Sequence, residues 1–167
     1  IGCRFGGSAT EKQAGKELTS TTSVMKPSAP INLSDLLDAF EWVSATATLE
    51  NVAYVSRSTG KTYITSREMD VGDELPDDID DGREYIAVPH KNELNLGRHL
   101  AISFAEDELP ESADAVHAFF RQRGAYGRFK DLLERKGCLE AWYQYEMQAV
   151  KDALRKWCRE NDIAVAG

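Results

Sequence analysis

From Ser112 to Ile163 the chain repeats large apolar residues at helical spacing, and glycines at Gly124 and Gly137 punctuate the run. Glycine takes the left-handed conformation that ends a helix at little steric cost, so these positions divide the stretch into three consecutive helices. Pro110 opens the first, because a helix's first turn has no intrahelical partner for the N–H that proline lacks. Val116, Phe119 and Phe120 form its apolar face, and Gly124 stops it. The second buries Phe129, Leu132 and Leu133 and ends at Gly137. The third is the longest, about Cys138 to Glu160. On a helical wheel Leu139, Trp142, Tyr143, Met147, Val150, Leu154 and Trp157 cover one broad arc of it. Short loops between the three predict antiparallel neighbours.

The residues before this block read differently. Leu33 to Ser44 predicts a helix with Leu33, Leu36, Leu37, Phe40 and Val43 on one face, Asn32 as N-cap and Asp35 suiting the dipole of the first turn. Val52 to Arg57 and Lys61 to Thr65 are rich in β-branched and aromatic residues. Ser58-Thr59-Gly60 between them suits a hairpin turn, with Gly60 supplying a positive φ. Tyr85 to Val88 predicts a third strand, ended by Pro89, which cannot donate to a ladder. Leu96, Leu100 and Phe104 then mark a further helix, with Asn92 or Asn95 as its cap. The expected architecture is α+β: a small three-stranded antiparallel sheet near the N-terminus packed with a helical C-terminal half. It forms a single domain over residues 31–163. Residues 1–30, polar and without periodicity, are expected to be a disordered leader, with Met25 as a candidate start.

Charge is unevenly spread over the 167 residues. The net charge is −8; residues 68–84 carry nine acidic residues and one basic, Arg83, whereas Arg121 to Arg159 holds ten basic residues against five acidic. This polarisation bears on partners and solubility, not on fold. No window approaches the roughly 18 apolar residues of a membrane span, so no membrane partner is expected. The first 24 residues lack the apolar core of a secretory signal, and Cys3, Cys138 and Cys158 are too widely spaced for a CxxC pair. A cytoplasmic, reducing setting follows as the expectation.

Several of these elements resemble, in order, those of the bacterial uncharacterised protein family 0158. The hairpin Tyr54-Val55-Ser56-Arg57-Ser58-Thr59-Gly60-Lys61 is similar to a Tyr-x-x-Arg-x-Thr-Gly element of that family, and Tyr85-Ile86-Ala87-Val88-Pro89 to another. Gly127-Arg128-Phe129-Lys130-Asp131 with Leu133, then Trp142-Tyr143 with Tyr145, then Arg155 with Trp157-Cys158, complete the set. The resemblance spans roughly Leu33 to Ile163, and its C-terminal block is the more specific part. It implies a small soluble bacterial protein and supplies no catalytic residues. The acidic segment of this chain is shorter than the acidic helical connector of the family.

Chemistry is harder to find. If Gly82 is set at the sixth position of a calcium loop, Asp77 and Asp81 fall at one and five. Ile79 and Val88 then occupy positions three and twelve, where oxygen ligands belong, so the run reads as a solvated acidic loop. His90, His99 and His117 lie on different elements without metal spacing. Cys138 opens a helix without a nucleophile signature. Phosphate-binding, dinucleotide-binding and nucleophile-elbow motifs are absent, and no cofactor or metal is expected.

Two residues of the last helix stand apart. Glu146 lies inside the apolar arc and would need a charged or hydrogen-bonding partner, Arg121 or Arg128 being the candidates. Tyr145 points away from the arc between Ala141 and Ala149, where packing by another helix of the chain is the first expectation and a partner surface the second. The expected function is therefore that of a non-enzymatic protein-interaction or regulatory module, with an unidentified protein partner at Tyr126, Arg128, Tyr145 and Glu146. Nucleic acid is the alternative partner, held by basic residues such as Arg121, Arg123, Arg128, Lys130 and Arg135. An enzyme of unrecognised chemistry using His117, Cys138 or Glu146 comes third.

Overall fold

A computed structural model of the chain describes residues 29–45, 51–66 and 72–167. The expected leader up to residue 28, with Met25 and Cys3, lies outside them, as does part of the acidic stretch. Ile31–Asn32 (β1) leads directly into Leu33–Ser44 (α1), where the side-chain oxygen of Asn32 accepts from the Ser34 N–H at 2.9 Å. Asn51–Ser56 (β2) and Thr62–Ser66 (β3) form the hairpin, and Tyr85–Ala87 (β4) pairs with the other edge of β2. The sheet order is β3-β2-β4, antiparallel throughout, with Tyr54 opposite both Tyr63 and Ala87. The fold is thus mixed α+β, with its three-stranded antiparallel sheet near the N-terminal side of a helical half.

Alternation along β2 sends Asn51, Ala53 and Val55 inward, and α1 packs against that side. Asn51 donates to the Trp42 carbonyl at 2.9 Å, and the Trp42 indole N–H donates to the Thr65 carbonyl at 3.0 Å, which fastens α1 across the hairpin. Gly60 takes φ +69° in the turn, as its position predicts. Two carboxylates of the acidic stretch hold the hairpin. Glu84 accepts from the hydroxyls of Ser56 and Ser58 at 2.6 Å, and Asp73 accepts from the Ile64 N–H at 3.0 Å.

Arg98–Glu108 (α2), Ala113–Phe119 (α3), Ala125–Lys136 (α4) and Leu139–Glu160 (α5) make the helical half. Three local expectations are corrected here. Neither Asn92 nor Asn95 caps α2; Gly97 holds that position without a side-chain cap, and Asn95 has turned into the left-handed conformation at φ +56°. Pro110 opens a single 3-10 turn, Pro110–Ser112, before α3 begins. Gly124, at φ +74°, is the N-cap of α4, while α3 has already ended at Phe119. Gly137 does end α4. The N–H of Cys138 reaches back to the Leu133 carbonyl at 2.9 Å and that of Gly137 to Glu134 at 3.1 Å, the paired bonds of a Schellman motif.

The buried side chains fall into two clusters. One gathers Leu36, Phe40 and Val43 of α1, Ala53 and Val55 of β2, and Leu154, Trp157 and Cys158 near the end of α5. The other gathers Phe104, Val116, Phe129, Leu133 and Trp142, with Trp142 edge-on to Phe104 at 5.4 Å and to Phe129 at 5.0 Å. Edge-to-face contacts place the positive ring edge against a negative face, which adds to the stabilisation from area burial. Helix α5 passes through both clusters, and Trp142 and Leu154 stand ~18 Å apart along its axis at 1.5 Å per residue. Finally, Val165–Ala166 (β5) pairs in parallel with β1, and the Ile31 N–H donates to the Ala164 carbonyl at 2.8 Å.

Candidate functional site: a groove between two helices

Between its two cores α5 has an uncovered stretch. Tyr143 and Met147 belong to the predicted apolar arc, yet they are 41% and 57% exposed. Periodicity identifies the apolar side of a helix; it does not say where the covering element stops. Here α1 covers the C-terminal part of that side and the α2–α4 cluster its N-terminal end. The interval between them opens into a groove of about 490 Å³.

The groove has two matching walls. Leu37, Phe40, Glu41 and Ser44 line it from α1, and Tyr143, Glu146, Met147 and Val150 from α5, with Leu96 and Lys91 between them. Each wall is an i, i+3, i+4, i+7 row, the set of positions that one helix face presents to a neighbour. Ser44 is held by accepting from the Lys91 N–H at 3.1 Å, which fixes the loop against α1.

Glu146 is half-buried in its row. Among the described residues its carboxylate accepts no hydrogen bond and joins no ion pair. The proposed partners Arg121 and Arg128 are engaged elsewhere or distant: Arg128 donates to Gln122 at 2.7 Å, and Arg121 lines a separate cavity. The cations that Glu146 feels are Lys130 and Lys91. Burial is the larger influence and lifts its pKa above the usual carboxylate range, against the pull of the two lysines. Tyr126, 44% exposed and edge-on to Phe120 at 5.1 Å, has its phenol pKa raised by burial first and by the charge of Glu146 second. Lys130 stands 5.5 Å from the Tyr143 ring centre, a cation–π contact.

Of the four residues expected to meet a partner, Glu146 lines the groove and Tyr126 lies within reach of its charge. Arg128 is exposed on α4. Tyr145 packs against Phe104 at 5.2 Å and stacks beside Trp142 at 6.3 Å, joining the second core from its edge. Sequence reasoning missed Leu37, Lys91 and Leu96 as groove residues, because their convergence on α5 is not local.

The histidines show the same effect. His99 and His117, read as scattered, line one cavity of about 310 Å³ with Arg98, Ile102, Phe120 and Arg121, and His117 bonds Glu106 at 2.8 Å. His90 is buried, its Nδ1 accepting from the Asn92 N–H at 3.1 Å. Cys138 lines neither cavity. Cys158 is buried, and desolvation pushes its thiol up to about 11, which leaves it protonated and a poor nucleophile at neutral pH. Among the described residues no group of three or more His, Cys, Asp or Glu side chains is arranged to hold a metal, and no helix is long and apolar enough to cross a membrane. Comparison with family models, with curated proteins and with solved structures finds no significant match.

Proposed function

We propose that this chain is a non-enzymatic protein-interaction module and that its partner seats in the groove between α1 and α5. The observation that carries the reading is the interruption of packing along α5, which leaves Tyr143 and Met147 exposed between two well-filled cores. Large exposed apolar side chains gathered beside a groove mark a contact surface better than singly scattered ones do. Tyrosine and methionine are also enriched in the buried centres of interfaces. The partner face is thereby narrowed from Tyr126, Arg128 and Tyr145 to a strip centred on Glu146, with Tyr126 at its border.

Nucleic acid is the weaker reading. Lys136 pairs with Glu111 at 3.2 Å, Arg155 with Asp152 at 3.8 Å and Lys156 with Glu160 at 3.7 Å, so these three basic side chains of α4 and α5 are already paired with carboxylates of the same chain. An enzyme has less support still, because Glu146 and His117 line different cavities. Membership of uncharacterised protein family 0158 belongs to this proposal and rests on the hairpin and C-terminal motifs alone. A cytoplasmic setting belongs to it too, resting on the free thiols of Cys138 and Cys158.

Photo-crosslinking tests the groove directly. A photo-reactive methionine analogue at Met147 should give a discrete protein adduct in cells, and Tyr143→Ser should reduce its yield severalfold. A photo-reactive residue at exposed Glu134 should not give that adduct. Equal adducts from both positions would remove the groove from consideration.

A further inference from the structure

Each wall of the groove breaks its apolar row with one carboxylate, Glu41 on α1 and Glu146 on α5. Among the described residues neither carboxylate accepts a hydrogen bond or joins an ion pair. Two cations face Glu146 from other elements, and neither lies within ion-pair distance of it. Lys130 of α4 is spent on the Tyr143 ring, and Lys91 lines the groove from the loop that Ser44 holds.

These placements constrain what can fill the space. A purely apolar occupant would strip water from two carboxylates and give them no donor, which is costly. An acidic occupant would add like charge beside them. A segment whose apolar side chains enter the groove and whose lysines or arginines reach its two walls satisfies both surfaces at once. The rows set its length: positions 143 to 150 cover ~10 Å of helix, two turns, so an i, i+3, i+4, i+7 face of a partner helix matches them.

Resting on the groove reading above, we propose that the occupant is a basic amphipathic helix of a partner protein, with Glu146 and Glu41 selecting its lysine or arginine side chains. A consequence concerns pH. The groups around Glu146 are Glu41 of α1, Lys91 of the loop, Tyr126 and Lys130 of α4 and Tyr143 of its own helix. Burial holds the Glu146 carboxyl protonated to higher pH than an exposed one. Affinity for a basic helix should therefore rise with pH as Glu146 ionises and fall in acid.

The test uses the full chain, isotopically labelled, and three synthetic helices: a Leu/Lys amphipathic peptide, its Leu/Glu counterpart and a Ser/Lys counterpart. The Leu/Lys peptide should shift the resonances of Leu37, Tyr143 and Met147. Its dissociation constant should weaken about tenfold in E146Q, which corresponds to ~1.4 kcal/mol. The pH dependence between about pH 4 and about pH 8 should flatten in the same variant, and E41Q should weaken binding independently. Similar groove binding by the Leu/Glu peptide would overturn the charge selection and leave the groove reading standing. Equal affinity for the Ser/Lys peptide would overturn it as well, by reporting adherence to an acidic surface. Shifts confined to other surfaces with all three peptides would also overturn it, and the crosslinking at Met147 would then decide the groove separately.

Discussion

Glu146 occupies a place in α5 where a leucine would be expected on periodicity, and the fold does not compensate it with a hydrogen bond or ion pair among the described residues. Its raised pKa states this as a free energy. Folding favours the protonated form, so ionised Glu146 opposes folding, fully above the folded-state pKa and progressively less as pH falls through it. E146Q should therefore be more stable than the parent chain at pH 7. The difference should shrink as pH falls towards the ordinary carboxylate pKa, and urea denaturation at pH 7 and at about pH 4 measures both. A parent chain as stable as E146Q at pH 7 would show that Lys91 and Lys130 already offset the burial. Residues kept for binding at some cost in stability behave in the first way.

At the scale of elements, the turns carry clear energetic signatures. Gly60 and Gly137 both hold positive φ, near +70°, where a Cβ is strained. Their surroundings differ. A Cβ at Gly137 would meet nothing within 4 Å, whereas one at Gly60 would stand 2.8 Å from the Pro30 carbonyl oxygen and 2.9 Å from that of Ala29. Those atoms are backbone, and the Ala29 N–H is bonded to the Ser58 carbonyl at 3.1 Å, so the approach has little room to relax. G137A should cost about 1 kcal/mol, the strain of the left-handed conformation alone. G60A should cost clearly more, about 2 kcal/mol or above, because steric overlap adds to the strain. Chemical denaturation of the two variants gives the ranking, and equal costs would mean that the Ala29–Pro30 segment yields. Asp162 shows the same device without glycine. At φ +56° it ends α5 while the Ile163 N–H reaches the Cys158 carbonyl at 2.9 Å, and Ile163 is buried in the first core.

Over the whole molecule, α5 is the element that joins the two cores. Trp142 fills one, and Leu154, Trp157 and Cys158 help fill the other. A rigid helix shared by two clusters couples their unfolding, so one cooperative transition is expected. W142A should destabilise by about 3–5 kcal/mol and L154A by about 2–5 kcal/mol, each leaving a cavity that its neighbours only partly close. Both substitutions should move the same midpoint, whether followed by helical circular dichroism or by tryptophan fluorescence. A second transition, or a W142A midpoint shift confined to one probe, would show that the clusters unfold separately.

The sequence by itself determined what depends on neighbours a few residues away. The bounds of α1 and its Asn32 cap, the hairpin with its Gly60 turn, the third strand and the Gly137 stop were legible because caps, turns and periodicity act locally. The mixed α+β class was legible for the same reason. Only the tertiary structure decided which part of an apolar arc is covered. Trp142 and Leu154 are buried while Tyr143 and Met147, on the same arc, stand open, because coverage depends on where α1 and the α2–α4 cluster come to rest. It likewise decided that Glu146 answers to Lys91 and Lys130 and not to Arg121 or Arg128, and that His99 and His117 share a cavity. The short β1–β5 pair was beyond reach of pattern, since two residues carry no period and their partner lies at the far end of the described chain. The groove is thus a product of packing: a helical sequence specifies an apolar face, and the surrounding chain determines how much of it remains available to a partner.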